Sequence, residues 1–165
     1  MKRSILVGCL TWLLVQPLAA QAAGSTDLQL VGQGKMSWLF FDLYEAQFYS
    51  ADGRYQEARY PQALTLRYLR DIKQQDLIKA TISEWQRLNI AWSPAWQQQL
   101  AQLWPSVKTG DALSVKVDSN GRSYFYLNEQ LLGEIADAAF GPAFLAIWLS
   151  DNSQNPTLTR QLKGY

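Results

Sequence analysis

The rhythm of apolar positions changes several times along this chain, and each change marks an element. Residues 5–15 form a short apolar run, interrupted only by Gly8 and Thr11; Met1-Lys2-Arg3 precedes it and Pro17 breaks it. Residues 27–31 alternate loosely and end at Gly32-Gln33-Gly34, which reads as a bend or bulge. From 36 to 49 aromatic residues dominate: Trp38, Phe40, Phe41, Tyr44, Phe48 and Tyr49, with Asp42, Glu45 and Gln47 between them. That pattern predicts one long, bent strand buried on one face. Ala51-Asp52-Gly53-Arg54 predicts a turn. After Pro61, period two sets Leu64, Leu66 and Tyr68 on one face and Arg67 on the other.

Helical spacing then takes over. Asp71, with Gln74 three residues on, predicts a capped helix start. Leu77, Ile78, Thr81, Ile82, Trp85 and Leu88 follow as one apolar stripe. Ser93-Pro94 opens a second helix, proline suiting its first turn; Trp96, Leu100, Leu103 and Trp104 make its stripe, and Pro105 ends it. Thr109-Gly110-Asp111 turns into a strand over Ala112–Val117. Asp118-Ser119-Asn120-Gly121 predicts a tight hairpin, Asn-Gly being a strong signal. Its partner strand covers Ser123–Leu127, and residues 131–135 pair next after a turn at Asn128-Glu129-Gln130. Asp137 is placed as cap of a third helix holding Phe140, Phe144, Ile147, Trp148 and Leu149. Gly141-Pro142 predicts a kink or a later start there. Asn155-Pro156 opens a short last helix over 157–162. Strands, two helices, more strands and more helices, without βαβ alternation, predict an α+β domain on an antiparallel sheet.

The first residues change the picture of where this domain works. A positive start, a short apolar run and the small-residue site Ala20-Gln21-Ala22 are the parts of a secretory signal. The apolar run falls short of the roughly 20 residues needed to span a bilayer. Residues 1–22 are therefore expected to be a cleaved signal peptide, with 23–165 as one domain that is periplasmic or secreted and has no stable membrane span. Leu6-Val7-Gly8-Cys9 looks like a lipoprotein box, but too few apolar residues precede it. Cys9 is the sole cysteine, so the expected mature chain has neither disulfide nor thiol chemistry.

Composition narrows the chemistry further. The chain has no histidine, which removes the common zinc ligand, the usual general base and the Ser-His-Asp triad. Loss of Lys2 and Arg3 turns a formal charge of +1 slightly negative, and nucleic-acid binders carry a basic excess. No cofactor, metal or nucleic acid is expected. Glu129 and Glu134 are read as solvated turn and strand-end carboxylates. The Asp118–Gly121 segment lacks the distal glutamate of a calcium loop and is read as a turn. Every tryptophan except Trp12 lies in the expected mature part, and Trp85, Trp96, Trp104 and Trp148 sit on helical stripes, as packing groups do.

Three segments, taken in order, resemble a known family. The first is Gly32-Gln33-Gly34-Lys35-Met36, followed by the aromatic strand from Phe40-Phe41-Asp42-Leu43-Tyr44 to Tyr49. The second is Ala63-Leu64-Thr65-Leu66-Arg67-Tyr68, leading through Arg70-Asp71-Ile72 to the helix over 76–88. The third is Gly110-Asp111, the hairpin, Leu132-Gly133-Glu134-Ile135, Phe144-Leu145-Ala146-Ile147-Trp148-Leu149 and a closing Leu162-Lys163-Gly164. Together they resemble the chalcone isomerase-like family, in particular its short exported bacterial branch. The resemblance implies an open-faced sandwich: a curved antiparallel sheet with helices packed on one face and a ligand cleft between. Plant members close a flavanone ring by intramolecular addition; others bind fatty acids without known chemistry.

The resemblance also locates the enzyme positions. The family's arginine, whose fork suits an anionic ligand, falls at Met36. Its strand threonine falls at Tyr44, its helix-start tyrosine at Asp76 and its helical asparagine near Ser83. None of the four enzyme residues is present, and losing one electrostatic donor commonly lowers a rate by about 10²–10³. The expectation is a non-catalytic protein binding a small apolar or amphipathic ligand, such as a fatty acid, at Lys35, Met36, Phe40, Tyr44 and Tyr68. Lys35 is the candidate charged group, although adjacent strand residues face opposite ways. The alternatives are a structural or protein-interaction role with a filled cleft and, less favoured, an intramolecular lyase or isomerase. The sequence identifies no protein partner.

Overall fold

A computed structural model describes residues 27–165, so the segment read as a signal peptide lies outside the described residues. Six strands form one sheet in chain order: β1 (Gln29–Trp38), β2 (Phe41–Ser50), β3 (Gln62–Tyr68), β4 (Ala112–Val117), β5 (Ser123–Leu127) and β6 (Gln130–Ile135). Every pairing is antiparallel. Helices α1 (Gln74–Arg87) and α2 (Pro94–Leu103) are inserted between β3 and β4, while α3 (Phe140–Leu149) and α4 (Pro156–Leu162) follow β6. Among the described residues no helix is long and apolar enough to cross a membrane. This is the α+β architecture expected from the order of patterns.

Register shows why one face is covered. Paired residues share a face, and one row across the sheet reads Gly32, Phe48, Leu64, Val115 and Phe125. The neighbouring row reads Gln33, Gln47, Thr65, Ser114 and Tyr126. The apolar row needs a roof and the polar row does not, so the helices gather on the first side. Under that roof Trp85, Trp96, Trp104, Phe125, Phe140 and Phe144 form a buried aromatic cluster, mostly edge to face with centroids 5.4–5.9 Å apart. The indole of Trp85 donates to the Ala143 carbonyl at 2.9 Å and that of Trp96 to the Asp137 carboxylate at 2.8 Å, as most buried indoles do.

Several local expectations are corrected. The aromatic stretch is not one strand: it turns at Leu39-Phe40, with Trp38 paired to Phe41. Leu39 adopts a left-handed φ of 54°, which no Gly or Asn announces, and the pattern therefore hid the turn. Gly32 and Gly34 do not break β1. A side chain at Gly32 would stand 1.9 Å from the Gln161 carbonyl oxygen, so the glycine lets α4 press against the strand. The expected irregularity exists as a register shift between Leu30 and Gly32. Asp71 does not cap α1, which starts after Lys73 without a side-chain cap; its carboxylate instead accepts from the Thr109 backbone at 2.8 Å. The third helix starts at Phe140, with Pro142 in its first turn. Glu134 is tied to Arg122 at 2.7 Å, and Glu129 sits in the β5–β6 turn at a φ of 70°.

Candidate functional site

Near the turn that joins β1 and β2 the helix-covered face of the sheet becomes amphipathic. Met36 pairs with Tyr44 and Tyr44 with Tyr68, so three residues from three strands stand side by side beneath the helices. Their upper boundary is α1, through Asp76, Leu77, Ala80, Ser83 and Glu84, and α3, through Phe144, Ile147 and Trp148. Between them lies an open cleft of about 380 Å³, within the range of small-molecule sites. The filled-cleft alternative required this space to be occupied by the aromatic side chains, and it is not.

The polar groups in the cleft are held unequally. The Trp148 indole donates to the Tyr44 hydroxyl at 2.9 Å, joining the helical roof to the sheet. Burial pushes the Tyr44 hydroxyl up to about 12, against the opposing effect of the Trp148 hydrogen bond. Burial also pushes the Tyr68 hydroxyl up, with Tyr44 adding to the effect, and no hydrogen bond holds it down. The two rings meet edge to face, with centroids 5.9 Å apart. The Asn155 amide donates to the Met36 sulfur at 3.4 Å. Glu84 is the inward acid of the roof, and Arg87 binds it with two donors at 3.0 and 2.8 Å.

Three of the five expected ligand residues, Met36, Tyr44 and Tyr68, line this cleft; Lys35 and Phe40 do not. Lys35 points to the opposite face, as alternation demands once Met36 faces inward. There it pairs with Asp42 at 2.8 Å, and that hydrogen bond raises the lysine and lowers the carboxyl. Phe40 lies in the turn between β1 and β2, beyond the last paired residues, almost wholly exposed. Asp76 and Ser83, the two helical positions singled out by resemblance, line the same cleft as Met36 and Tyr44. No lysine or arginine is among its lining residues. Arg67 turns to the open face and donates to the Gly110 carbonyl at 3.1 Å, and Arg70 lies over the Phe41 ring at 5.1 Å.

Sequence reasoning did not select Trp38, Leu43, Ile147 or Trp148, all of which line the cleft. Trp148 follows Phe144 at helical spacing and so carries the same signal as a core residue. Only the register that brings Tyr44 beneath it separates the two roles.

A meander sheet roofed on one side by helices, with an apolar cleft between the layers, defines an open-faced α+β sandwich. The model of the chalcone isomerase-like family matches residues 15–164, and the chain belongs to that family. A protein of uncharacterized function from Haemophilus influenzae is 29% identical over 164 residues, covering 98% of this chain and 77% of that one. The crystal structure of a fatty-acid binding protein from Arabidopsis thaliana superposes with a TM-score of 0.66 at 13% identity, covering 87% of this chain and 90% of that chain. The likeness establishes a shared fold.

Proposed function

We propose that this protein is an exported, non-catalytic binder of a small apolar or amphipathic molecule, held in the cleft between Met36, Tyr44 and Tyr68 below and α1 and α3 above. The observation that carries the reading is the cleft itself: open, largely apolar, and without a cation in its lining. Flavanone-type chemistry needs positive or hydrogen-bonding groups where an oxyanion develops. The matching positions hold a thioether, a phenol bonded to Trp148, a carboxylate and a small hydroxyl. The fatty-acid binding neighbour supports the same reading by analogy of fold alone.

Charge refines the ligand class. Asp76 borders the cleft and would repel a carboxylate, Glu84 beside it is already paired with Arg87, and no lysine or arginine in the lining offers a carboxylate a partner. The Tyr68 hydroxyl, free of other partners, suits one hydrogen bond to an uncharged head. A long-chain alcohol, an ester or a protonated acid fits better than a fatty-acid anion. Export to the periplasm or beyond rests on the signal-like pattern of residues 1–22.

The test is lipid extraction and mass spectrometry of protein purified from its own host, followed by melting with single ligands. An uncharged C16 alcohol or methyl ester at about 100 times its Kd adds roughly 2.7 kcal/mol of stability, and the palmitate anion adds less at neutral pH. If nothing co-purifies and no alcohol, ester, fatty acid or flavonoid raises Tm, the binding reading fails. Conversion of a chalcone above background would overturn the non-catalytic part. For export, the mature chain should begin at Ala23 by intact-mass measurement; retention of residues 1–22 would refute it.

A further inference from the structure

The β1–β2 turn stands out from the other hairpins of the same sheet. The β4–β5 turn is made of Ser119, Asn120 and Gly121, and the β5–β6 turn of Asn128 and Glu129: polar residues that tolerate left-handed backbone. Between β1 and β2 the chain instead presents Trp38, Leu39, Phe40 and Phe41, exposed to 53, 78, 97 and 57%. Leu39 takes its left-handed φ without the help of glycine or asparagine. Ala58 and Glu129 also hold a left-handed φ without glycine or asparagine, so what sets this turn apart is its four consecutive exposed apolar side chains, which water does not reward.

We infer that this hairpin tip inserts into the interfacial layer of a lipid bilayer. Its shape is convex, a two-residue turn on a paired ribbon, and it projects rather than forming a groove for a partner's side chain. Behind the four apolar residues lies a polar collar. Ser37 and Lys35 both bond Asp42, at 2.6 and 2.8 Å, and the Arg70 guanidinium lies over Phe41. From that collar to the tip is two residues, or about 7 Å at strand rise, which matches the roughly 5–10 Å to which interfacial segments bury. Trp38 and Arg70 are then at the depth where an indole and a snorkelling cation settle. The tip also adjoins the cavity, because Trp38 and Leu43 line the cleft. Seated in this way, the cleft mouth meets the bilayer, and an apolar molecule passes between them with little exposure to water. Lys35 is neutralised by Asp42, so the attraction is mainly apolar rather than electrostatic.

The test compares wild-type protein, purified in the N-terminal form its host produces, with the double variant Leu39→Ser, Phe40→Ser prepared identically. Both are floated with phosphatidylcholine vesicles and titrated with vesicles containing brominated lipid, which quenches tryptophan at shallow depth. Wild type is expected to float and be quenched equally at low and high salt, the variant to partition at least tenfold more weakly with unchanged Tm. Flotation of the variant as strong as wild type would overturn the proposal. So would a wild type that ignores vesicles, whether it stays monomeric or self-associates through the tip into a dimer that the variant cannot form. None of these readouts depends on a ligand in the cleft, so they are separable from the test of binding.

Discussion

Replacing Gly32 by alanine should damage this fold far more than the same change two residues on. Neither glycine needs a left-handed backbone, so alanine is conformationally acceptable at both. In open space it would add about 0.4–1 kcal/mol by restricting the unfolded chain. At Gly32 the new Cβ meets the Gln161 carbonyl oxygen at 1.9 Å and the Leu162 carbonyl oxygen at 2.9 Å. Both are backbone atoms of α4 and its end, so the helix must retreat by about 1.5 Å to restore ordinary contact near 3.4 Å. That retreat lifts Leu158 and Leu162, both buried, off the sheet. Overpacking of this kind costs about 1–3 kcal/mol, and partial exposure of the two leucines places Gly32→Ala at the upper end, about 3 kcal/mol. At Gly34 the obstacles are the Gln161 amide oxygen at 2.2 Å and a Leu158 methyl at 2.7 Å. Gln161 is exposed and can swing outward, and only a terminal methyl of Leu158 must also shift, so Gly34→Ala should cost about 1 kcal/mol. Urea unfolding at 25 °C measures the difference directly. Since one kcal/mol moves Tm by roughly 3–4 °C at this size, the variants should melt about 6–8 °C apart. A Gly32→Ala protein as stable as wild type, or less damaged than Gly34→Ala, would refute the account of why glycine stands there.

Three further outcomes follow from the cleft and its surroundings. Tyr44 and Tyr68 ionise in the unfolded chain near 10 but are held higher in the fold, Tyr44 to about 12. Stability should therefore be fully present below pH 10 and fall as pH rises from 10 toward 12, by roughly 1.4 kcal/mol per pH unit for each group. Urea midpoints across that range should fall less steeply for Tyr44→Phe, Tyr68→Phe, and an equal slope would refute the assignment. Ala80→Trp, placed on an exposed helical position at the cleft, should weaken ligand binding at least tenfold with Tm changed by no more than about 2 °C; undiminished binding of the extracted ligand would mean it sits elsewhere. Lys35→Met removes only an exposed ion pair, worth about 0–1 kcal/mol. It should leave ligand affinity unchanged, and a large loss by calorimetry would return Lys35 to the site.

The architecture was legible because each element carries one dominant rhythm. Alternation at Leu64, Leu66 and Tyr68 reads as a strand with one wet face, and the stripe from Leu77 to Trp85 reads as a helix with one buried side. What the pattern could not show is where two neighbours in space compete with local chemistry. Asp71 has the form of a helix cap, yet Thr109, brought close by the bridge between Ile72 and Val107, takes its carboxylate. Leu39 and Phe40 lack every turn signal and still turn, so the aromatic stretch divided where sequence predicted continuity. The cleft was half legible for the same reason. Met36, Tyr44 and Tyr68 share one strand face and fall together once the register is known. Lys35 was excluded by the alternation that admitted Met36, and Phe40 by a turn no local residue betrays.

The hydrogen bond from Trp148 to Tyr44 joins positions 104 residues apart, and the cavity beneath it is walled by both the beginning and the end of the domain. A molecule lodged there would act as a rivet through the first hairpin, α1 and α3 at once. Its departure would loosen all three together, so that unloading and breathing of the domain would become one event rather than two.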